Sequence, residues 1–131
     1  MRVLEPEGWM SPRGYANGVV ATGRLVVLAG QIGWNPVTAT FDDDDLLGQV
    51  RRTLENVATL LREAGGEPQH LVRMTWYITD RDAYLAARRP IGHHYRELFG
   101  AHYPPMSIIV VSGLIEPRAL VEIEATAVLP G

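Results

Sequence analysis

The chain has 131 residues, a length that makes one domain and leaves no room for two full cores. It has no cysteine, which excludes disulfides, thiolate zinc sites, iron–sulfur clusters and a cysteine nucleophile. Hydrophobic residues make up 47% and charged residues 21%, a globular balance, and the formal net charge of −3 argues against the basic footprint of a nucleic-acid binder.

Pro6, Gly8, Pro12 and Gly14 make residues 1–14 an irregular arm leading into a single domain over 1–131. Tyr15 to Thr22 reads as a short strand and Gly23 as a turn. Arg24 to Gly30 is a stronger strand, because Leu25, Val26, Val27 and Leu28 are apolar without a break and so need cover on both faces. Gly30, Gly33, Asn35 and Pro36 then break the chain. Leu46 to Ala64 is the clearest helix: Leu47, Val50, Leu54, Val57 and Leu61 form one stripe, Asp44 and Asp45 supply the N-cap, and Gly65-Gly66 the stop. The run Asp42–Asp45 lacks the spaced ligands, central glycine and distal glutamate of a calcium loop, so a capping, solvated loop is expected there and no metal.

Leu71 to Thr79 alternates, with Val72, Met74, Trp76 and Ile78 toward one side and Arg73, Thr75, Tyr77 and Thr79 toward the other. Asp80 caps a helix that runs to about Phe99, with a break expected near Arg89 because Pro90 cannot sit in a helix interior. Tyr103-Pro104-Pro105 forces an extended entry to a strand over Met106 to Ser112, apolar on both sides. Leu120 to Leu129 closes the domain, with Val121, Ile123, Ala125 and Ala127 facing one way and Glu122, Glu124 and Thr126 the other. The order β-β-α-β-α-β-β predicts a two-layer α+β domain, a mixed sheet packed on two helices. Two helices cover one face only, yet two strands are apolar on both sides. A second copy of the chain is the economical cover, so oligomerisation follows from the pattern alone.

For chemistry, there is no phosphate-binding glycine loop, dinucleotide fingerprint, nucleophile elbow or zinc-protease histidine pair. His93 and His94 are neighbours that point apart on a helix, and His102 lies past its end, so the set suits neither a metal nor an acid–base pair. Glu122 and Glu124 share one strand face, about 7 Å apart. Two roles are open to them: general acid/base work on a water, or an ion pair with a basic neighbour such as Arg73, which the unaided sequence favours. Tyr15, Trp34 and Tyr77 are candidates to line an apolar pocket, whereas Trp76 falls on the core side.

Several segments together carry a resemblance. They are Gly14-Tyr15-Ala16-Asn17-Gly18-Val19, the loop AGQIGWNP over 29–36, the first helix with Gly65-Gly66, Arg73 to Asp80, Tyr103 to Ser107, and the closing VEIEATAV over 121–128. In this order they resemble the RidA family, also called YjgF or endoribonuclease L-PSP, over about 11–129. The resemblance implies a chorismate-mutase-like fold and a cytoplasmic homotrimer with small-molecule pockets in the clefts between subunits. It implies hydrolysis of an imine or enamine without cofactor or metal, and neither membrane nor nucleic acid as partner. Carried over by position, Glu122 is the water-holding glutamate, Tyr15 the pocket tyrosine and Gly30 the loop glycine. Ile108 stands where a pocket residue offers its backbone N–H. Trp34 and Ser107 join the candidate ligand-binding set beside their motifs.

The family's carboxylate-gripping arginine belongs in Pro-x-Arg-Ser, and here the segment reads Pro104-Pro105-Met106-Ser107. Ala29 replaces the loop serine, and Gly92 aligns with a pocket asparagine. The resemblance therefore implies a departure from the usual 2-imino acid deamination. Three roles remain: hydrolysis of a related metabolite, a non-catalytic binding or regulatory trimer, or, least supported, an endoribonuclease. Arg13, Arg73 and Arg118 are the candidates to replace the missing cation.

Overall fold

The computed structural model describes all residues, 1–131. In chain order the elements are β1 (Arg2–Val3), β2 (Val19–Val20), β3 (Arg24–Ile32), α1 (Leu46–Glu63), a single 3₁₀ turn (Pro68–His70), β4 (Leu71–Ile78), α2 (Arg81–Ala86), α3 (Arg88–Phe99), β5 (Met106–Val110) and β6 (Val121–Leu129). The main sheet has the order β3-β6-β4-β5. β6 runs antiparallel to both neighbours, and β5 is parallel to β4 at the edge. The helices pack on one face, giving the expected two-layer α+β architecture.

The amphipathic stripe accounts for α1. Val50, Leu54, Val57 and Leu61 are buried, and the stripe starts at Leu46 rather than at the half-buried Leu47. Burying each such side chain is worth about 1.5–3 kcal/mol. Asp45 Oδ1 accepts from the Gly48 N–H at 3.3 Å, capping the helix, and Gly65 at φ +83° takes the left-handed turn that ends it. Two buried polar residues of α1 anchor loops. Asn56 Nδ2 donates to the carbonyls of Ile32 and Trp34, and Gln49 Nε2 to those of Asp43 and Arg118. Gln49 Oε1 accepts from the Leu120 N–H at 2.8 Å, so the loops before α1 and before β6 are pinned to one side chain.

Four details differ from the sequence reading. The segment 15–22 does not add a strand to the main sheet. Only Val19–Val20 is extended, and it pairs with Arg2–Val3 of the supposedly irregular arm, while Ala16 bridges Pro105. In β4 the register shifts between Leu71 and Arg73, and this bulge buries Leu71 where strict alternation would have buried Val72. The second helix is two, interrupted at Ala87 (φ −102°, ψ 8°), two residues before the expected Arg89. Pro90 is then the third residue of α3, where its missing N–H would have had no acceptor inside the helix. The last correction is at β5, which ends at Val110, short of Ser112.

The face of the sheet away from the helices is open. Leu25 and Val27 are 67% and 69% exposed, and Ile109 of the edge strand is exposed too. Val26 and Leu28, of the other parity, pack against the core.

Candidate functional site

Parity in β5 decides where the candidate residues go. Met106 and Ile108 stand beside Met74 and Trp76, on the helix side of the sheet. There they enter a cavity of about 420 Å³ between the β5 edge, the residues before β2, and α2–α3. Tyr15 and Gly92 line the same cavity, so four of the predicted site residues converge. The rest of the apolar wall is aromatic and aliphatic: Trp76, Tyr84, Tyr95, Tyr103 and Ile91. Tyr95 and Tyr103 stack with centroids 5.2 Å apart, and the Tyr95 hydroxyl donates to the His102 carbonyl at 2.7 Å. Burial pushes the Tyr95 and Tyr84 phenols up, and the Arg88 charge opposes that shift at Tyr84.

Arginines enter this cavity, but not the expected set. Arg13 lines it, together with Arg88 and Arg96. Arg73 lies at the open face, near Glu124 and Thr75. Arg118 is engaged elsewhere, with Nη2 2.8 Å from Asp44 Oδ1 and its guanidinium over the Phe41 ring. Arg88 and Arg96 were missed in the sequence, although the signal was there: Arg88, Gly92 and Arg96 recur every four residues and so form one stripe of α3.

Glu122 is on the other side of the sheet. It is paired in register with Tyr77 and Ile32 and is not part of the cavity wall. Its carboxylate lies against Gly30, where a Cβ would collide with it. The absence of a side chain at 30, beside the register shift between Leu28 and Gln31, is what lets Glu122 lie flat there. Ser107 belongs to this open face by parity. Glu124 does not pair with Arg73. It accepts a hydrogen bond from the Tyr77 hydroxyl at 2.8 Å, which holds the phenol above its ordinary range. Trp34 joins neither group. Its ring is tilted against Phe41, 6.2 Å away, beyond the carboxyl end of β3.

The histidines and aspartates have local partners. His93 Nε2 lies 2.8 Å from Glu97 Oε1, and His102 Nε2 is 3.0 Å from the Leu71 carbonyl. Asp42 pairs with Arg52, Asp44 with Arg118, and Asp45 caps α1. No group of three or more histidine, aspartate or glutamate side chains is arranged to hold a metal ion, and no helix is long and apolar enough to cross a membrane.

The candidate residues are thus divided: an arginine-rimmed aromatic cavity lies on the helix side and Glu122 lies against Gly30 on the open side. The endoribonuclease L-PSP family model matches residues 10–129. A RutC family protein of Pyrococcus abyssi is 30% identical over 125 residues, covering 95% of this chain and 94% of that one. The crystal structure of YyfB from Yersinia pestis, a protein of unknown function in the conserved Rid family, superposes with a TM-score of 0.84. It is 36% identical and covers 98% of each chain. TdcF of E. coli, solved with bound serine, gives a TM-score of 0.69 at 31% identity, covering 98% of this chain and 99% of that one. The chain belongs to the endoribonuclease L-PSP family, the RidA/YjgF/RutC group of small Rid proteins.

Proposed function

We propose that this Rid protein acts on a small-molecule metabolite as a homotrimer, with its ligand sites completed between subunits, and that it is not a 2-imino acid deaminase of the usual kind. One observation carries this: the candidate residues are divided between the two sides of one sheet. Tyr15, Gly92, Met106 and Ile108 meet in the cavity, while Glu122, Gly30 and Ser107 lie toward the open face, which also exposes Leu25 and Val27. Neither half closes on itself. A neighbouring copy that buries the apolar face brings a second chain's Glu122 surface to the open edge at β5, and the two halves become one cleft.

In that cleft Glu122 is the group able to hold and deprotonate a water. Water adds to the carbon of a C=N bond, the nitrogen takes up protons and leaves as ammonia or an amine, and a carbonyl remains. The step balances without a cofactor. What is missing is the clamp. Met106 presents a thioether, with neither charge nor donor, where the family's arginine grips a carboxylate. The same observation favours a second reading, a metabolite-binding or regulatory trimer that keeps the cleft without turnover. Ribonuclease activity has the least support, given the net charge of −3 and the separate local roles of the histidines. A cytoplasmic location belongs to the same proposal, since a cysteine-free domain of this size has no disulfide framework of the secreted kind.

Sedimentation equilibrium combined with a thermal-shift screen of small metabolites tests the proposal. A trimer whose melting temperature rises with a small molecule, an effect lost in Tyr15→Ala, supports it. A stable monomer at micromolar concentration overturns it.

A further inference from the structure

The aromatic cavity contains cations and no anions. Arg13, Arg88 and Arg96 line it, and no aspartate or glutamate does. None of the three takes part in an ion pair: the basic partners in the chain's ion pairs are Arg51, Arg52, Arg118, His93 and His94. On α1, by comparison, Arg51 meets the Glu55 carboxylate one turn along the helix. Arg88 and Arg96 have Gly92 between them instead.

Gly92 shapes the site. Side chains of a helix lean toward its N-terminus, so Arg96 folds back over position 92. Its Nη1 lies 3.3 Å from where a Gly92 Cβ would be, and apart from the adjoining residues and the helix's own backbone nothing else comes within 4 Å of that point. The bare glycine gives the guanidinium a bed on the cavity side of α3, in the direction of Arg88. The charge of Arg88 acts on this wall as well, since it lowers the Tyr84 phenol against the effect of burial. Trp76, Tyr84, Tyr95 and Tyr103 line the same cavity as these cations. Trp76 is 2% exposed, and its Nε1 is the one buried side-chain donor in the chain without a partner.

We infer that Arg88 and Arg96 form a replacement anion clamp on α3, and that the cavity takes an aromatic carboxylate, its flat body against the tyrosines and its charge at the α3 arginines. A guanidinium pair suits a planar carboxylate by fork geometry, and the aromatic wall suits a planar body. An ammonium group would stand among cations with no acid in the wall to receive it. This rests on the cavity being a ligand site, as proposed above, and adds what charge and shape the ligand has and which residues select it. It also puts the anion at α3, away from the position an arginine at 106 would serve.

Isothermal titration calorimetry with three probes tests the clamp: phenylacetate, its neutral isostere phenylacetamide, and acetate, which has the charge without the ring. We expect phenylacetate to bind at least about tenfold more tightly than either of the others. Arg88→Gln and Arg96→Gln should each weaken phenylacetate by about tenfold. Arg89→Gln removes the same charge from the same helix outside the cavity and should leave binding unchanged. All three arginines are exposed, so thermal melts should show the variants folded. Equal binding of phenylacetate and phenylacetamide, equal behaviour of the three arginine variants, or no binding of phenylacetate overturns the clamp. Those outcomes leave the inter-subunit ligand site standing, because it is judged separately by the trimer and by metabolite-induced stabilisation.

Discussion

The Glu122 carboxylate occupies the space above Gly30 that any side chain at position 30 would need. The two residues sit on adjacent antiparallel strands, diagonal across the open face of the sheet. Gly30→Ala should cost about 1 kcal/mol, because the glutamate must leave its rotamer to make room. In a Glu122→Ala background the same change should cost almost nothing. A double-mutant cycle by denaturant unfolding measures the coupling, and additive effects would show that the two side chains do not compete for the space.

The open face predicts its own disruption. Leu25 and Val27 on β3 are among the most exposed large aliphatic side chains of the sheet, and a folded monomer gains nothing by displaying them on the same open face as Ile109 at the opposite edge. Val27→Asp should leave the fold intact, since the side chain points away from the core, and should dissociate the proposed trimer. Light scattering at micromolar protein reads the mass directly. A Val27→Asp protein that keeps the wild-type mass would place the interface elsewhere.

Gln49 is the polar keystone of α1, fully buried with its amide bonded to two carbonyls and to one N–H. Gln49→Leu keeps the volume but leaves those backbone groups unpaired. About 2–4 kcal/mol of destabilisation is expected from desolvation alone. Hydrogen exchange should accelerate most at Leu120, whose N–H loses its acceptor. A loss below about 0.5 kcal/mol would mean that water replaces the amide without penalty.

Tyr95 ties stability to alkaline pH. Burial raises its phenol above the ordinary 10.0, so the folded state keeps the proton longer than the unfolded one. Its contribution is complete below the unfolded value and is lost as pH rises from there through the folded one. Unfolding free energy should therefore fall as pH climbs above about 10. Tyr95→Phe should flatten part of that slope while costing about 1 kcal/mol at neutral pH, because the His102 carbonyl loses its donor. A slope identical to wild type would assign the alkaline loss to other groups.

How much of this was legible in the sequence depends on the range of the interaction. The α1 stripe and its aspartate cap are local, and both stand where the periodicity puts them. So does the alternation in β6, where every second residue from Val121 is buried. The bulge at Leu71–Arg73 is set by pairing with β6, fifty residues on, and no pattern within β4 announces it. The break at Ala87 was displaced from Arg89 because a proline is tolerated in a helix's first turn and so marks a start as readily as a stop. At the site, the sequence grouped Met106 and Glu122 without assigning Met106 a face. That they lie on opposite sides of the sheet needed the parallel register of β5 on β4. Arg13 was named from sequence, whereas Arg88 and Arg96 were not, and only the cavity gives their shared stripe a direction.

Met106 carries the sharpest functional prediction. The anions 2-aminoacrylate and 2-iminobutyrate need a cation that fixes the carboxylate before water can attack the neighbouring carbon, and positioning is a large share of such a barrier. Met106 supplies no donor, and the α3 arginines approach the cavity from a different wall. Wild-type protein should therefore hydrolyse these substrates poorly or not at all. Met106→Arg restores a guanidinium on β5 but not the serine and asparagine whose places Ala29 and Gly92 take. It also adds a fourth arginine to a cavity wall that has three and no acid. Recovery should be partial at most, and an Arg96→Gln change in the Met106→Arg background should raise it by relieving that repulsion. The assay couples a dehydratase that releases the enamine to its disappearance, with and without each protein. Wild-type turnover equal to that of an arginine-bearing relative would mean that the cations on the cavity wall already hold the carboxylate where Glu122 can reach it.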